Sequence, residues 1–257
     1  MSKDIASILS EWPYEPGKVS ARRIVGDDGL DKIQLRVDLG VLQMNAQGRP
    51  DGGRPFGFES LLEYHEHRME EHRRDRGSDE GFLLGEEECE ELRAEAVQFY
   101  YRYLSEFVLE DYPAVARDTA RNMRMLDLRA KYAREESDRF LMEQYRPYIL
   151  MMNARARAII ELRQDRPQVA RQIMLEALAG LKRFYKKFGQ EELFGASKEV
   201  TTLEELLREI EATMPEDPVA KLRHELTQAI EQEQYEAAAR LRDRIAKAIR
   251  GQGPTQD

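Results

Sequence analysis

Apolar residues recur along this chain at two different periods, and the change from one to the other divides it. From Ile33 to Leu39 they alternate with polar neighbours, Ile33-Gln34-Leu35-Arg36-Val37-Asp38-Leu39, the two-residue period of a half-buried strand. Gly40 interrupts the alternation and Val41-Leu42-Gln43-Met44 resumes it before Asn45-Ala46-Gln47-Gly48, while Lys18 to Val25 precedes the turn residues Gly26-Asp27-Asp28-Gly29. These segments predict a small antiparallel sheet of two or three strands. A sheet of that size is marginal alone, so it has to dock on helices or on a second copy of itself.

Beyond the irregular stretch Gly48 to Gly57 the spacing becomes three and four. Phe58, Leu61, Leu62, His65, Met69 and His72 share one helix face, which ends in Arg73-Arg74-Asp75-Arg76-Gly77. Glu86-Glu87-Glu88 then opens a helix with the acidic first turn its dipole favours, and Leu92, Ala96, Phe99, Tyr103 and Phe107 form its stripe. At Glu110 to Pro113 that helix stops; Asp111 is placed to cap the next one and Pro113 suits its first turn. Val169, Ile173, Ala177, Leu181 and Phe184 continue the core to Phe188-Gly189, and Thr202-Leu203-Glu204-Glu205 reads as a capping box for a helix with Leu203, Leu206, Leu207 and Ile210 inward. Gln144 to Met152 is dense in Tyr, Ile, Leu and Met, as a core or an oligomer seam would be.

One pattern repeats. Asp111-x-Pro113-x-Val115-Ala116-Arg117 returns as Asp165-x-Pro167-x-Val169-Ala170-Arg171, each copy between an aromatic-rich helix and one of smaller residues. The arrangement is similar to tetratricopeptide-type helix pairs, although the spacing is longer than their usual repeat and the Trp-Leu-Gly-Tyr consensus is missing. An antiparallel bundle whose two hairpins share turn chemistry explains it equally well. The expected fold is therefore mainly α: antiparallel helical hairpins, tetratricopeptide-like or bundled, with a small N-terminal antiparallel β element and a C-terminal helical hairpin. Its divisions are 1–57 for the sheet and Gly-rich loop, 58–213 for the helical body, a stiff Pro-containing linker at 214–218, the hairpin at 219–250 and a tail at 251–257.

The hairpin has the most specific pattern. Leu222, Leu226, Ala229 and Ile230 fall at helical spacing, then Tyr235, Ala238, Leu241, Ile245 and Ile249, with Glu231-Gln232-Glu233-Gln234 between the stripes; Pro218 and Gly251 punctuate the ends. Two short amphipathic helices folded on each other fit this, with Ala238 and Ala239 letting the backbones approach and the Tyr235 ring covering Leu226 and Ile230. The stretch resembles the UVR domain, named for the excision-repair subunits UvrB and UvrC, whose hallmark is an aromatic residue, Glu, a spacer, two Ala, then Leu, Arg and Asp. Tyr235, Glu236, Ala238, Ala239, Leu241, Arg242, Asp243 and Ile245 carry that pattern here, with Lys221 and Leu222 opening the first helix. Tyr235 and Ile249 stand where the family usually has Phe and Leu, and both keep an apolar body. The resemblance implies a protein-interaction module without catalysis, those eight residues contacting a protein partner or a second copy of this chain, in settings that range from excision repair to chaperone and protease regulation.

Composition narrows the alternatives. The 257 residues include 35% charged and 41% hydrophobic side chains with a net charge of −9, which suits solvated helix surfaces better than a nucleic-acid-binding body. Arg240, Arg242, Arg244, Lys247 and Arg250 make the second hairpin helix basic, whereas Glu225, Glu231 and Glu233 make the first acidic; pairing between helices or with a partner explains this bias better than phosphate contacts, so nucleic acid is expected as an indirect partner only. A single cysteine, Cys89, excludes an internal disulfide and a cysteine-rich zinc ribbon. His65, His67 and His72 lack both His-x-x-x-His and Glu-x-x-His spacing and read as partly exposed helix residues, so no metal or cofactor is expected. Gly48 to Gly57 has glycines that could cradle an anion, and this loop, or the neighbourhood of Glu59, Glu63 and His65, is the alternative site for an enzyme or small-ligand protein. The loop lacks the Gly-Lys-Ser/Thr ending of a phosphate loop. The start of the chain has no long apolar run, no window approaches a membrane span, and a cytoplasmic location is the default expectation.

Overall fold

A computed structural model describes residues 4–214, 218–232 and 234–251. Most of the expected linker and tail, 215–217 and 252–257, lies outside them. The chain divides into two compact units, Met1–Glu211 and Ala212–Asp257.

In the first unit, after a one-turn helix α1 (Ala6–Ser10), strands β1 (Ser20–Val25), β2 (Asp31–Val37) and β3 (Gly40–Asn45) form an antiparallel sheet in the order β1-β2-β3, with Ala21 opposite Leu35 and Ile33 opposite Met44. One face, Ile33, Leu35 and Met44, buries itself with Ala46 against Tyr101 and Leu109, so the sheet docks on a helix. Alternation predicts that Lys32, Gln34 and Arg36 point into water, yet all three are buried. The N-terminal segment covers Gln34 and Arg36, while Lys32 is held by Asp28 at 2.6 Å and by Asn45. Arg36 Nε donates to the Trp12 carbonyl at 2.7 Å, Arg22 lies 4.4 Å over the Trp12 ring and donates to Gln34 Oε1 at 2.7 Å, and Gln34 Nε2 donates to Gln43 Oε1 at 2.8 Å. Each buried polar group thus has a partner, the condition for burying it at tolerable cost.

The helical body follows as α2 (Leu61–Arg76), α3 (Glu86–Val108), α4 (Tyr112–Tyr132), α5 (Glu136–Phe140), α6 (Arg146–Arg163), α7 (Pro167–Lys187) and α8 (Lys198–Thr213). Helix α2 starts where the Ser60 hydroxyl accepts from the Glu63 amide and ends at Gly77, whose φ of 76° is the left-handed conformation that glycine adopts without strain. The long helices stack in sequence order, α3 on α4, α4 on α6, α6 on α7. Leu62, Leu84, Leu92, Met125, Leu126 and Ile149 belong to the core cluster they enclose.

The α3–α4 and α6–α7 turns close alike. Glu110 and Asp165 take positive φ, 58° and 56°, and the amide after each bonds back across the helix end, Asp111 to the Glu106 carbonyl and Arg166 to that of Glu161, both at 2.9 Å. This is where the repeat seen in the sequence goes out of register. Asp111 is the N-cap of α4, accepting from the Ala114 amide, whereas its sequence counterpart Asp165 sits one position earlier, in the left-handed residue, and Arg166 occupies the cap position. What recurs is a turn geometry rather than an aligned helix pair.

Three local expectations need correction. Val169 is 45% exposed: in the first turn of α7 it lies at the edge of the contact with α6, beside Arg157, Ile160 and Glu161, while its neighbour Ala170 is the buried residue. Thr202 lies inside α8 instead of capping it; Ser197 takes that role, its hydroxyl accepting from the Val200 amide at 3.3 Å. His65, expected partly exposed, is buried, because its face of α2 points at the core.

The second unit holds α9 (Pro218–Glu231) and α10 (Tyr235–Gly251), packed as a hairpin. The Gln234 amide donates to the Ala229 carbonyl at 2.8 Å, the same back-bond that closes the two turns in the body.

Candidate functional site

In the hairpin, Leu222 and Ala229 of α9 and Ala238 of α10 are buried, and Leu226, Leu241 and Ile245 are half-buried. Residues 238, 241 and 245 are spaced so that one side of α10 faces α9. Ala239, one residue and 100° further round, is exposed, so Ala238 and not Ala239 is the small residue of the seam. Tyr235 does not cover the first-helix stripe either: it is 69% exposed and Ile230 54%. Tyr235 is the first residue of α10, and helical side chains tilt toward the N-terminus, so its ring projects off the helix end.

The remaining predicted residues face outward. Arg242 and Asp243 are exposed and bonded to each other at 3.2 Å, Glu236 and Arg240 form a loose pair at 4.0 Å, and Arg244 and Lys247 are exposed beside them. The hairpin thus has a seam of Ala238, Leu241 and Ile245 and an outer surface of Tyr235, Glu236, Ala239, Arg242 and Asp243.

Residues 216–248 match the family described as UVR, the UvrB/uvrC motif. The UVR match covers this hairpin and none of the helical body. Comparison with curated proteins and with solved structures gave no match. The N-terminal end of the second UVR helix combines an exposed aromatic ring, an exposed carboxylate and, two turns on, an exposed Arg-Asp pair.

The body contains a second constellation that pattern reading passes over. Arg102 of α3, almost wholly buried, donates to both oxygens of Asp118 on α4 at 2.6 and 2.9 Å and to the carbonyls of Asn45 and Gly48 at 2.9 and 2.7 Å. Arg117 reaches Asp118 at 2.8 Å and Glu106 at 3.0 Å. About two turns back along α3, buried Glu95 pairs with Arg121 and, at 3.2 Å, with Arg49, and accepts from the Leu61 amide at 2.7 Å. Burial pushes the Glu106 carboxyl up to about 8, with the nearby Asp118 charge adding to the effect and Arg102 and Arg117 opposing it. These groups fasten α3, α4 and the loop after β3 together. Their signal was in the sequence: Glu95, Arg102 and Glu106 fall in phase with the stripe of Leu92, Phe99 and Tyr103, where a charge has to be buried and paired.

The Gly-rich loop is held by the same network. Gly48, Gly52 and Gly57 take positive φ, the Gly53 amide is already bonded to Asp51 at 2.8 Å, and the small depression here, ≈150 Å³, is lined by Glu59 as well as Arg49 and Arg54. His65 bonds Arg68 at 3.1 Å and its pKa is lowered, chiefly by burial. Among the described residues no three His, Cys, Asp or Glu side chains are grouped so as to hold a metal ion, and no helix is long and apolar enough to cross a membrane.

Proposed function

We propose that this protein is a non-enzymatic interaction scaffold whose C-terminal UVR hairpin binds a protein partner, the stacked helices and docked sheet serving as its rigid body. The observation that supports it is the UVR match on a hairpin whose motif residues Tyr235, Glu236, Arg242 and Asp243 point into solvent. The outward aromatic is the kind of side chain that anchors interfaces, and the charged pair beside it supplies register and selectivity. On this reading the partner presents an apolar pocket for Tyr235 next to a charged rim, in an excision-repair or a chaperone and protease setting.

The test compares full-length chain with a chain ending at residue 214, and with Tyr235→Ala and Arg242→Ala in the full chain, as baits. Partners retained by the wild type and lost by both the truncation and Tyr235→Ala support the proposal. Capture unaffected by the truncation overturns it. Direct nucleic-acid binding through the basic face of α10 is a distinct outcome, recognised by binding to DNA that weakens steeply with salt.

A further inference from the structure

Helices α3 and α6 both pack on α4, and between them a cleft of ≈400 Å³ is left open, floored by Ala96, Asn122 and Met125. Its walls are unusual in being tyrosines. Tyr100 and Tyr103 of α3 meet edge to face with ring centroids 5.5 Å apart, and Tyr148 of α6 meets the Tyr100 ring edge-on at 6.2 Å, so the three rings form one continuous wall. Tyr103 is 1% exposed. None of these three hydroxyls has a hydrogen-bond partner among the described residues, although the polar groups around them do: Asn122 donates to the Ala96 carbonyl at 3.0 Å, and Arg93 at the rim is held by Glu90. The hydroxyls of the tyrosines that line the cleft are therefore free to donate to a molecule bound in it.

We propose that this cleft is a binding site for an uncharged, planar aromatic molecule bearing a carbonyl or similar hydrogen-bond acceptor. The volume lies within the range of small-molecule sites, and such sites combine apolar and aromatic walls with a few convergent polar groups. Tyrosine edges and faces suit a flat ring. The hydroxyls are donors at any physiological pH, because burial, reinforced by their neighbouring phenols, pushes Tyr100, Tyr103 and Tyr148 up from the ordinary phenol value. No ionised side chain lines the interior and the one cation at the rim is already paired, so a charged ligand would lose its hydration without gaining a counter-ion. The entrance is between Val97, which is 41% exposed, and Tyr145, which is half exposed.

The experiment titrates full-length protein with the neutral naphthyl ketone Prodan, whose emission shifts to the blue in an apolar site. Saturable binding of one molecule per chain is expected. Tyr103→Phe keeps the ring and removes one donor, so it should weaken Prodan by about fivefold while leaving displacement by the hydrocarbon 2-ethylnaphthalene unchanged. Val97→Trp should block the entrance and abolish saturable binding with helicity intact by circular dichroism; if that variant fails to fold, Tyr103→Phe decides alone. Binding that never saturates, or that saturates equally in the folded variants, overturns the proposal. So does sedimentation showing a wild-type dimer that Val97→Trp converts to a monomer, since a second copy would then fill the cleft.

Discussion

Replacing Arg102 by methionine removes one side chain from the place where three parts of the body are joined. Arg102→Met keeps most of the volume but deletes four hydrogen bonds, two to Asp118 and one each to the carbonyls of Asn45 and Gly48. Removing one partner of a buried ion pair costs about 3–5 kcal/mol, because the other charge stays buried. Asp118 keeps a bond from Arg117 at 2.8 Å, and the loop after β3 can lift its two carbonyls into water, so the lower end, about 3 kcal/mol, is expected. Against a typical domain stability of about 5–15 kcal/mol the variant still folds. With a urea slope of about 2 kcal/mol per molar its midpoint falls by about 1.5 M. Two probes are built in: circular dichroism follows the helices, and Trp12, the single tryptophan, reports the sheet on which it lies. They should coincide in the wild type, and the Trp12 transition should come first in Arg102→Met. Adding Asp118→Leu should recover much of the loss, since a buried pair replaced as a whole by apolar groups is often nearly neutral. A single-variant loss under about 1 kcal/mol refutes the view that this network fastens sheet to helices.

Two further outcomes are expected. The folded-state pKa of Glu106, raised from 4.5 to about 8, means that the folded chain holds a proton the unfolded chain releases, so its contribution is complete below pH 4.5 and lost as pH rises through 8; urea midpoints measured at pH 5, 6.5 and 8 should fall for the wild type and fall less for Glu106→Gln. In the UVR hairpin, Ala238→Leu should cost about 1–3 kcal/mol by overpacking the seam and reduce hairpin helicity, whereas Ala239→Leu should leave the circular dichroism spectrum unchanged.

The elements themselves were legible where period and punctuation agreed. Alternation placed β2, the acidic triplet at Glu86 placed the start of α3, and the spacing of Leu222, Ala229, Ala238 and Leu241 placed the hairpin. What the pattern missed were positions where polarity and burial part company. Gln34 and Arg36 occupy the polar phase of a strand yet are covered, because Trp12 and its neighbours fold over them from twenty residues away. Glu95, Arg102 and Asp118 occupy core positions as charges, and only the identity of their partners, on other elements, explains how they are tolerated. At the hairpin the residue types of the motif were readable, but which of two adjacent alanines faces inward depends on helix phase, and the end-of-helix position of Tyr235 sends its ring outward. The tyrosine cleft left no trace in the pattern, since Tyr100, Tyr103 and Tyr148 read as ordinary aromatic core.

The stacking order of the long helices bears on how the chain comes to be folded at all. Helices α3 and α4, and α6 and α7, pack on each other through turns that close by a local back-bond, and α4 meets α6 across the short α5 segment, so most contacts form between segments made within seconds of each other at the ribosome. Topologies of this kind have low contact order and assemble quickly. The docking of the sheet is the exception. Its polar anchors join Asn45 and Gly48 to Arg102, 57 and 54 residues apart, a long loop to close before the charges meet. The strands precede α3 and α4 in the chain and are therefore the part that must wait, unable to settle until those helices have emerged and turned back on each other.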